Sequence, residues 1–186
     1  MTHPITLDVV RLFQKYGQGR YGSEAVSQLQ HALQAACFAK RQGADSTLVA
    51  AALLHDIGHI IDGQSLPKSD NEDLDDAHEN RAYEWLKSNF GAAVADPVRL
   101  HVAAKRYLCT TDPEYVSKLS PTSLKSYYDQ GGPMNQSELD DFKDERFAYE
   151  AVQLRRWDDL AKDPNMITPA IEDFMPLLDS LLPQQT

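Results

Sequence analysis

The sequence predicts an all-α fold built as one helical bundle. Apolar side chains recur three and four residues apart in most segments, as Leu7, Val10 and Phe13 do near the start, and this spacing places them on one face of a helix. Glycine and proline separate these segments, and there is no internal repeat. With 186 residues, the chain has the size of a single domain over 1–186.

Three helices are predicted in the first third of the chain. The first covers about residues 7–13. The second runs over 22–41, and Gly43 supplies the glycine that commonly follows the end of a helix. The third carries the apolar run 48–54 and begins at a polar cap at position 45 or 46.

The later segments include one long polar stretch. Residues 62–77 are acidic, and we predict a surface loop that is either a lid over a neighbouring site or a solvated insertion. His78 opens the next helix, and the Asp-Pro pair at 96–97 marks the start of another. Further helices are predicted over 147–162 and, closing the core, over 169–182.

Composition restricts the partners and the location. Acidic residues outnumber basic ones 28 to 18, giving a net charge of −10, so nucleic acid would be repelled and an anionic substrate needs local Lys or Arg groups. Cys37 and Cys109 are too few for a disulfide framework. Without a signal peptide pattern or a membrane-length apolar run, we expect a cytoplasmic protein with no membrane partner, as a monomer or a homodimer.

The polar motif at 53–59, Leu-Leu-His-Asp-Ile-Gly-His, is the centre of the predicted site. His55 and Asp56 follow directly on the apolar run 48–54. Ionisable groups in such a place need hydrogen bonds, ion pairs or a metal, because an unpaired buried charge costs several kcal/mol. The pair therefore predicts ligands elsewhere in the chain.

Four histidines follow one another at intervals of 24, 23 and 23 residues, each on or beside a predicted helix: His31, His55, His78 and His101. Helices joined by short loops bring such positions to one level of a bundle. With Asp56 and Asp158 the set suffices for two metals, and Asp56 is the natural bridge because successive helical side chains diverge by about 100°. The mixed imidazole and carboxylate set suits Fe, Mn, Zn or Co.

Other polar side chains have two interpretations each. The spacing of Tyr21, Glu24, Gln28 and His31 places them on one face of the helix predicted over 22–41, although the first two also fit a solvated first turn and His31 fits a satisfied core histidine. Lys105 lies one turn after His101, as an anion anchor beside a ligand or as an unrelated surface residue. The pair Arg155 and Asp158 equally fits an ordinary surface ion pair.

Five stretches in combination resemble one family: Tyr21-Gly22-Ser23-Glu24, His55-Asp56-Ile57-Gly58-His59, the run from His101 to Leu108, Gln130-Gly131-Gly132-Pro133-Met134 and the run from Leu154 to Asp158. His31, the adjacent His55-Asp56 and the distant Asp158 resemble the ligand set of the HD-domain superfamily. The additional stretches are similar to its mixed-valent di-iron oxygenases that degrade phosphonates, relatives of myo-inositol oxygenase.

This resemblance implies an HD-domain helical bundle with a metal-binding core over about 21–162. It implies two iron ions as an Fe(II)/Fe(III) pair, one held by His31, His55, Asp56 and Asp158, and the other by Asp56, His78 and His101. The implied activity is that of a dioxygenase that uses O2 to break the carbon–phosphorus bond of a 1-hydroxy-2-(amino or trimethylammonio)ethylphosphonate. The products would be phosphate and either glycine or glycine betaine.

Roles for the remaining site residues are also implied by the resemblance. Lys105, Ser123 and Arg155 would bind the phosphonate group, as the charge of Lys and the planar donors of Arg allow. His59 would contact substrate or support a ligand. Tyr21 and Glu24 would occupy a vacant iron position until substrate displaces them, and Glu24 would also suit a cationic amine.

Two other functions use parts of the same motif. An HD phosphohydrolase acting on a phosphomonoester or nucleotide would need the same ligands but no O2. A non-catalytic HD module that senses a ligand is the third class, and it has little need for the complete ligand set together with Lys105 and Arg155.

Overall fold

A computed structural model describes residues 2–61 and 78–183, and for residues 78–81 it describes the backbone only. Within these residues the structure is α-helical with one isolated β-bridge, between Arg20 and Ser27, which confirms the all-α prediction. The helices are α1 (Pro4–Tyr16), α2 (Gln28–Arg41), α3 (Ser46–Leu54), α4 (Gly58–Ile61), α5 (His78–Phe90), α6 (Ala92–Thr111), α7 (Pro113–Val116), α8 (Pro121–Asp129), α9 (Gln136–Asp144), α10 (Ala148–Leu160) and α11 (Met175–Leu181).

The apolar helix α3 lies at the centre of the bundle. Every side chain from Leu48 to Leu54 is buried, and α2, α6, α10 and α11 pack around it. A helix that is apolar on all sides is stable only when it is surrounded in this way. Asp45 caps its N-terminus by accepting a hydrogen bond from the backbone N–H of Leu48 at 2.9 Å, as predicted for position 45 or 46.

The helix predicted over 22–41 is shorter at its start. It begins at Gln28, because Ser27 and Gln30 form a capping box in which each side chain binds the other's backbone N–H. Upstream, Gly22 has a φ of +52°, which a helix does not allow. The helical polar face predicted for Tyr21, Glu24, Gln28 and His31 is therefore wrong in its geometry.

Two later helix boundaries also differ from the predictions. The helix expected to start at 96–97 starts at Ala92 and contains Pro97, because Gly91 at φ +82° separates α5 from α6. The segment 169–182 is not one helix. It opens as a 3-10 turn over Ile171–Phe174 before α11, since Pro176 lacks the N–H that an α-helical ladder would require there.

The acidic segment 62–77, which we predict to be a surface loop, lies outside the described residues. In the described part of the chain, no helix is long and apolar enough to cross a membrane.

Candidate functional site

Three buried histidines from three helical segments converge beside α3. His31 lies on α2, His55 directly follows α3, and His101 lies on α6; each is at most 2% exposed. Each ring places its Nδ1 atom 2.7–2.8 Å from a backbone carbonyl oxygen, that of Ala161 for His31, Ala52 for His55 and Val98 for His101. An Nδ1–H that donates to a carbonyl directs the Nε2 atom toward the shared centre, which is the usual arrangement of metal-binding histidines.

Asp56 presents its two carboxylate oxygens to different histidines. Its Oδ2 lies 3.5 Å from His31 Nε2 and 3.4 Å from His55 Nε2. Its Oδ1 lies 3.9 Å from His101 Nε2 and 4.0 Å from His59 Nε2. One carboxylate thus faces two separate groups of nitrogen atoms, which is the geometry that a bridging ligand requires.

Asp158 adds a second carboxylate to His31 and His55, the two histidines that face Asp56 Oδ2. Its Oδ1 lies 3.3 Å from His31 Nε2 and 4.0 Å from His55 Nε2. Burial favours its neutral form, but the guanidinium of Arg155 and the hydrogen bond with His31 hold the pKa of Asp158 well below its usual value. Asp158 is therefore a buried carboxylate in its ionised form, the form that can bind a metal ion.

The donor chemistry of this cluster fits a metal ion. The Nε2 atoms of His31 and His55 are only 3.0 Å apart, and ligand atoms of His31, His55 and Asp56 all lie within 4.8 Å of one another. Burial lowers the pKa of His55, but Asp56 and Asp158 raise it to about 9. The two buried carboxylates that favour positive charge at His55 would equally favour a bound cation, and nitrogen and oxygen ligands suit Fe, Mn, Zn or Co.

His78 is the remaining predicted ligand. It begins α5, and α5 packs on α6, the helix that carries His101. The side chain of His78 lies outside the described residues.

A cavity of about 380 Å³ opens directly onto this cluster. It brings together all the predicted substrate-binding residues. The described residues that line it are Tyr21, Gly22, Glu24, Gln28, Asp56, His59, His101, Val102, Lys105, Thr122, Ser123, Ser126, Asp129, Gln130, Arg155, Asp158 and Lys162.

Lys105 provides a buried cation at the wall of the cavity. Its Nζ donates to Ser126 Oγ at 2.8 Å, and only 3% of the residue is exposed. Burial and the nearby Arg155 lower the pKa of Lys105 to about 7. The interpretation of Lys105 as a residue on a wet surface is therefore wrong, and a bound anion would stabilise its charged form.

Arg155 is fixed on several sides. Its Nη1 lies 2.7 Å from Asp158 Oδ2, its Nη2 pairs with Asp159, and its Nε donates to Tyr115 Oη at 3.1 Å. With Arg155 5% and Asp158 1% exposed, the alternative of an ordinary surface ion pair is also wrong. The guanidinium is held at the cavity as a rigid group of donors.

Tyr21 packs against His31, a proposed metal ligand, although Tyr21 does not lie on a helix. Its ring stacks on that of His31 with centroids 3.7 Å apart and an interplanar angle of 13°. Its hydroxyl donates to Asp158 Oδ1 at 3.4 Å. Burial and Asp158 raise the pKa of Tyr21 well above its usual value, so the hydroxyl keeps its proton.

Glu24 also lines the cavity, and its carboxylate is held by two donors. Its Oε1 accepts a hydrogen bond from Ser120 Oγ at 2.7 Å and lies 3.4 Å from Lys162 Nζ. Lys162 also donates to Ser123 Oγ at 2.8 Å. Glu24 and Ser123 are thereby connected through one cation.

The sequence interpretation did not include Lys162 or Ser126. Ser126 follows Ser123 by three residues on α8, a spacing that places both on one side of the helix and was the available signal. Lys162 lies two residues beyond the end of α10 at Leu160, so helical spacing from Asp158 does not predict its position.

The segment 161–163 is tied to α2 by its backbone. The carbonyl of Ala161 binds His31 Nδ1. The carbonyl of Asp163 accepts from Gln34 Nε2 at 2.7 Å, and its N–H donates to Gln34 Oε1 at 3.1 Å. Lys162 lies between these two attachment points.

The helical bundle and its His-Asp cluster define the class of protein. The chain belongs to the HD-domain family, whose model, described as HD domain, matches residues 29–127. The matched region contains His31, His55, Asp56 and His101, while Asp158 and Arg155 lie beyond it.

Curated relatives narrow the comparison. The chain is 42% identical over 171 residues to hydroxymethylphosphonate dioxygenase of Gimesia maris, covering 92% of this chain and 85% of the relative. It is 36% identical over 171 residues to 1-hydroxy-2-(trimethylamino)ethyl phosphonate dioxygenase, glycine-betaine-forming, of Leisingera caerulea, covering 92% and 87%. An uncharacterized protein of Acanthamoeba polyphaga mimivirus is 33% identical over 156 residues, covering 83% and 71%. The first two relatives, together with the HD domain match, confirm the resemblance to phosphonate-degrading HD proteins.

Proposed function

We propose that this protein is a di-iron oxygenase that uses O2 to cleave the carbon–phosphorus bond of a 1-hydroxyphosphonate. The observation that carries the proposal is one cavity lined both by Asp56, whose two carboxylate oxygens face different histidines, and by the buried basic side chains of Lys105 and Arg155. The names of the two phosphonate dioxygenase relatives support the same activity. With hydroxymethylphosphonate the atoms balance with one O2, giving formate and phosphate.

The proposed ligands divide at Asp56. His31, His55, Asp56 and Asp158 would hold one iron, and Asp56, His78 and His101 the other. Iron, when bound, supplies the redox chemistry with O2, for which the side chains of the site have no substitute.

The protein's own part is to bind and orient the substrate. We assign the phosphonate oxygens to Lys105, Arg155 and Ser123, which all line the cavity. A phosphonate held there extends its C1 hydroxyl toward Asp56 and the histidines. His59 is 25% exposed and lines the cavity near Asp56 Oδ1, so it can contact the substrate or support the carboxylate.

Tyr21 and Glu24 are proposed to control access before substrate binds. Tyr21 already covers one face of His31 and donates to Asp158. Glu24 is held by Ser120 and Lys162, so it would act only after release from this pair. Tyr21 is therefore the residue better placed to limit reaction with O2 in the absence of substrate.

The experiment separates the oxygenase from an HD phosphohydrolase. The protein is loaded with iron anaerobically and then given hydroxymethylphosphonate with and without O2. We expect phosphate in step with O2 consumption, and no phosphate without O2. Phosphate release from p-nitrophenyl phosphate without O2, with no reaction of the phosphonate, would instead support the hydrolase.

A further inference from the structure

Glu24 and Lys162 form an ion pair in the lining of the cavity. Glu24 Oε1 and Lys162 Nζ are 3.4 Å apart, and the side chains are 18% and 13% exposed. Because both groups are largely shielded from water, their attraction is stronger than that of a surface pair. The oxygen of Glu24 that meets Lys162 also binds Ser120.

Among the described residues that line the cavity, the acidic groups leave no unpaired carboxylate outside the proposed metal cluster for a cationic substituent. Apart from Asp56 and Asp158 in the proposed metal cluster, the acidic residues among the described lining are Glu24 and Asp129. Glu24 is paired with Lys162, and Asp129 is 3.0 Å from Lys125. Each carboxylate outside the cluster thus has its own lysine.

Aromatic groups do not replace them in the described lining. Tyr21 is the aromatic residue among those side chains, and His31 covers one face of its ring. Quaternary ammonium groups are recognised by cages of several aromatic faces. Such a cage is not formed by the described residues of this cavity.

We propose that Lys162 is a specificity-determining residue that occupies Glu24 and thereby selects hydroxyphosphonates whose C1 substituent is uncharged, including hydrogen, over those with an ammonium substituent. This inference rests on the proposed function. It replaces the expectation of an amino or trimethylammonio group, because that group and Lys162 would compete for the same carboxylate. Rejection follows from repulsion by Lys162 together with the loss of the Glu24 pair.

Lys162 has an alternative role, binding of the phosphonate, which the experiment must distinguish from a role in specificity. Its Nζ donates to Ser123 Oγ at 2.8 Å, and Ser123 is assigned to the phosphonate. If Lys162 were only a third cation for the phosphonate, its removal would weaken all substrates equally. A specificity role instead changes the ratio between substrates.

The test compares kcat/KM for hydroxymethylphosphonate and 1-hydroxy-2-(trimethylammonio)ethylphosphonate in wild type and Lys162→Met. We expect the variant to shift the ratio toward the trimethylammonio substrate by about tenfold or more, because an uncompensated carboxylate in a shielded site attracts a cation strongly. The double variant Glu24→Gln, Lys162→Met should lose this gain, and Lys162→Arg should keep the wild-type ratio. An unchanged ratio in Lys162→Met, or equal losses for both substrates, would overturn the proposal.

Binding without turnover provides an independent readout. Under anaerobic conditions, calorimetry measures the affinities for methylphosphonate and 2-(trimethylammonio)ethylphosphonate, which lack the reactive hydroxyl. The same shift in preference is expected in Lys162→Met. Lys118→Met is the control, because Lys118 is an exposed lysine that pairs with Glu114 and is not among the described residues that line the cavity.

The experiments distinguish a failure of the proposed function from a failure of the inference about Lys162. If wild type cleaves neither hydroxyphosphonate, the proposed function fails, while the binding ratio still tests Lys162. If Lys162→Met does not fold, as judged by its circular dichroism melt, Glu24→Gln takes its place. That variant should bind the trimethylammonio probe still more weakly than wild type relative to methylphosphonate, and no change in this preference would overturn the proposal.

Discussion

Arg155 and Asp158 share a contact of 2.7 Å between Nη1 and Oδ2, with both side chains buried on α10. The other oxygen of Asp158 faces His31 at 3.3 Å. One carboxylate therefore connects the cation assigned to the phosphonate with the ligands assigned to the metal. A change in either residue must affect both parts of the site.

The first prediction concerns folding. Arg155→Met leaves Asp158 and Asp159 without their guanidinium, and loss of one partner of a buried ion pair typically costs about 3–5 kcal/mol. We expect a decrease of that size in the free energy of unfolding, measured by urea denaturation. Arg156→Met is the matched control, since Arg156 is the next residue, is 46% exposed and lies 3.9 Å from Asp112. Equal effects of the two substitutions would contradict the burial argument.

A second prediction concerns metal content. His101→Ala and His78→Ala should each reduce bound iron from two to one per chain, because both belong to the group proposed on the far side of Asp56. Asp56→Ala should reduce it further, since Asp56 serves both positions. Elemental analysis after anaerobic loading measures the stoichiometry. His3→Ala serves as control, because the side chain of His3 caps α1 and its backbone N–H binds Asp179, away from the proposed ligands. Unchanged iron in His101→Ala would remove His101 from the ligand set.

The third prediction follows from the pKa of Lys105, which is lowered to about 7. The ammonium form binds an anion, so affinity for methylphosphonate should fall as pH rises above 7, by up to about tenfold per pH unit. Lys105→Arg keeps its charge and should show a much flatter profile from pH 6 to 9. This variant also corrects for ionisation of the ligand. Parallel profiles for wild type and variant would exclude Lys105 as the titrating group.

The same pKa predicts the pH dependence of stability. The folded pKa of about 7 lies below the ordinary value of 10.5, so between these values the unfolded state binds more protons. The free energy of unfolding therefore gains a contribution that rises with pH from about 7 to 10.5. Lys105→Met removes this contribution, and the melting temperatures of variant and wild type should converge as pH increases through that window. A constant difference would argue against a depressed pKa.

A fifth prediction tests Tyr21 as a guard against unproductive reaction. Tyr21→Phe keeps the stacked ring but removes the donor to Asp158. We expect several-fold faster O2 uptake by the iron-loaded protein without substrate, recorded with an oxygen electrode, and also an increase in Glu24→Ala. Tyr149→Phe is the control because Tyr149 is 71% exposed. Uptake at the wild-type rate in both site variants would rule out the guarding role.

The sequence predicted those features that depend on neighbouring residues along the chain. The apolar run 48–54 had to be buried, and the adjacent His55 and Asp56 had to find partners, because their context is local. The cap at Asp45 follows the same logic. The convergence of His31, His101 and Asp158 on this motif could also be predicted, because each lies on a helix of the same bundle.

Other features depend on contacts between distant segments. The position of Tyr21 against His31 results from a turn at Gly22 rather than from a helix, although the Ser27 and Gln30 capping signal was present in the sequence. The Glu24 and Lys162 pair joins residues on separate elements. Its electrostatic effect depends on burial, which periodicity does not report.

The attachment of residues 161 and 163 to α2 has an evolutionary consequence. Both neighbours of Lys162 are held through backbone atoms, so the side chain at 162 can be exchanged without moving His31 or the core. A lineage of such enzymes could thus acquire a new substrate by a single codon change at this position. Substrate selectivity would then change faster in evolution than metal binding. Sequence variation among such enzymes would be concentrated at position 162, between the two anchored residues 161 and 163.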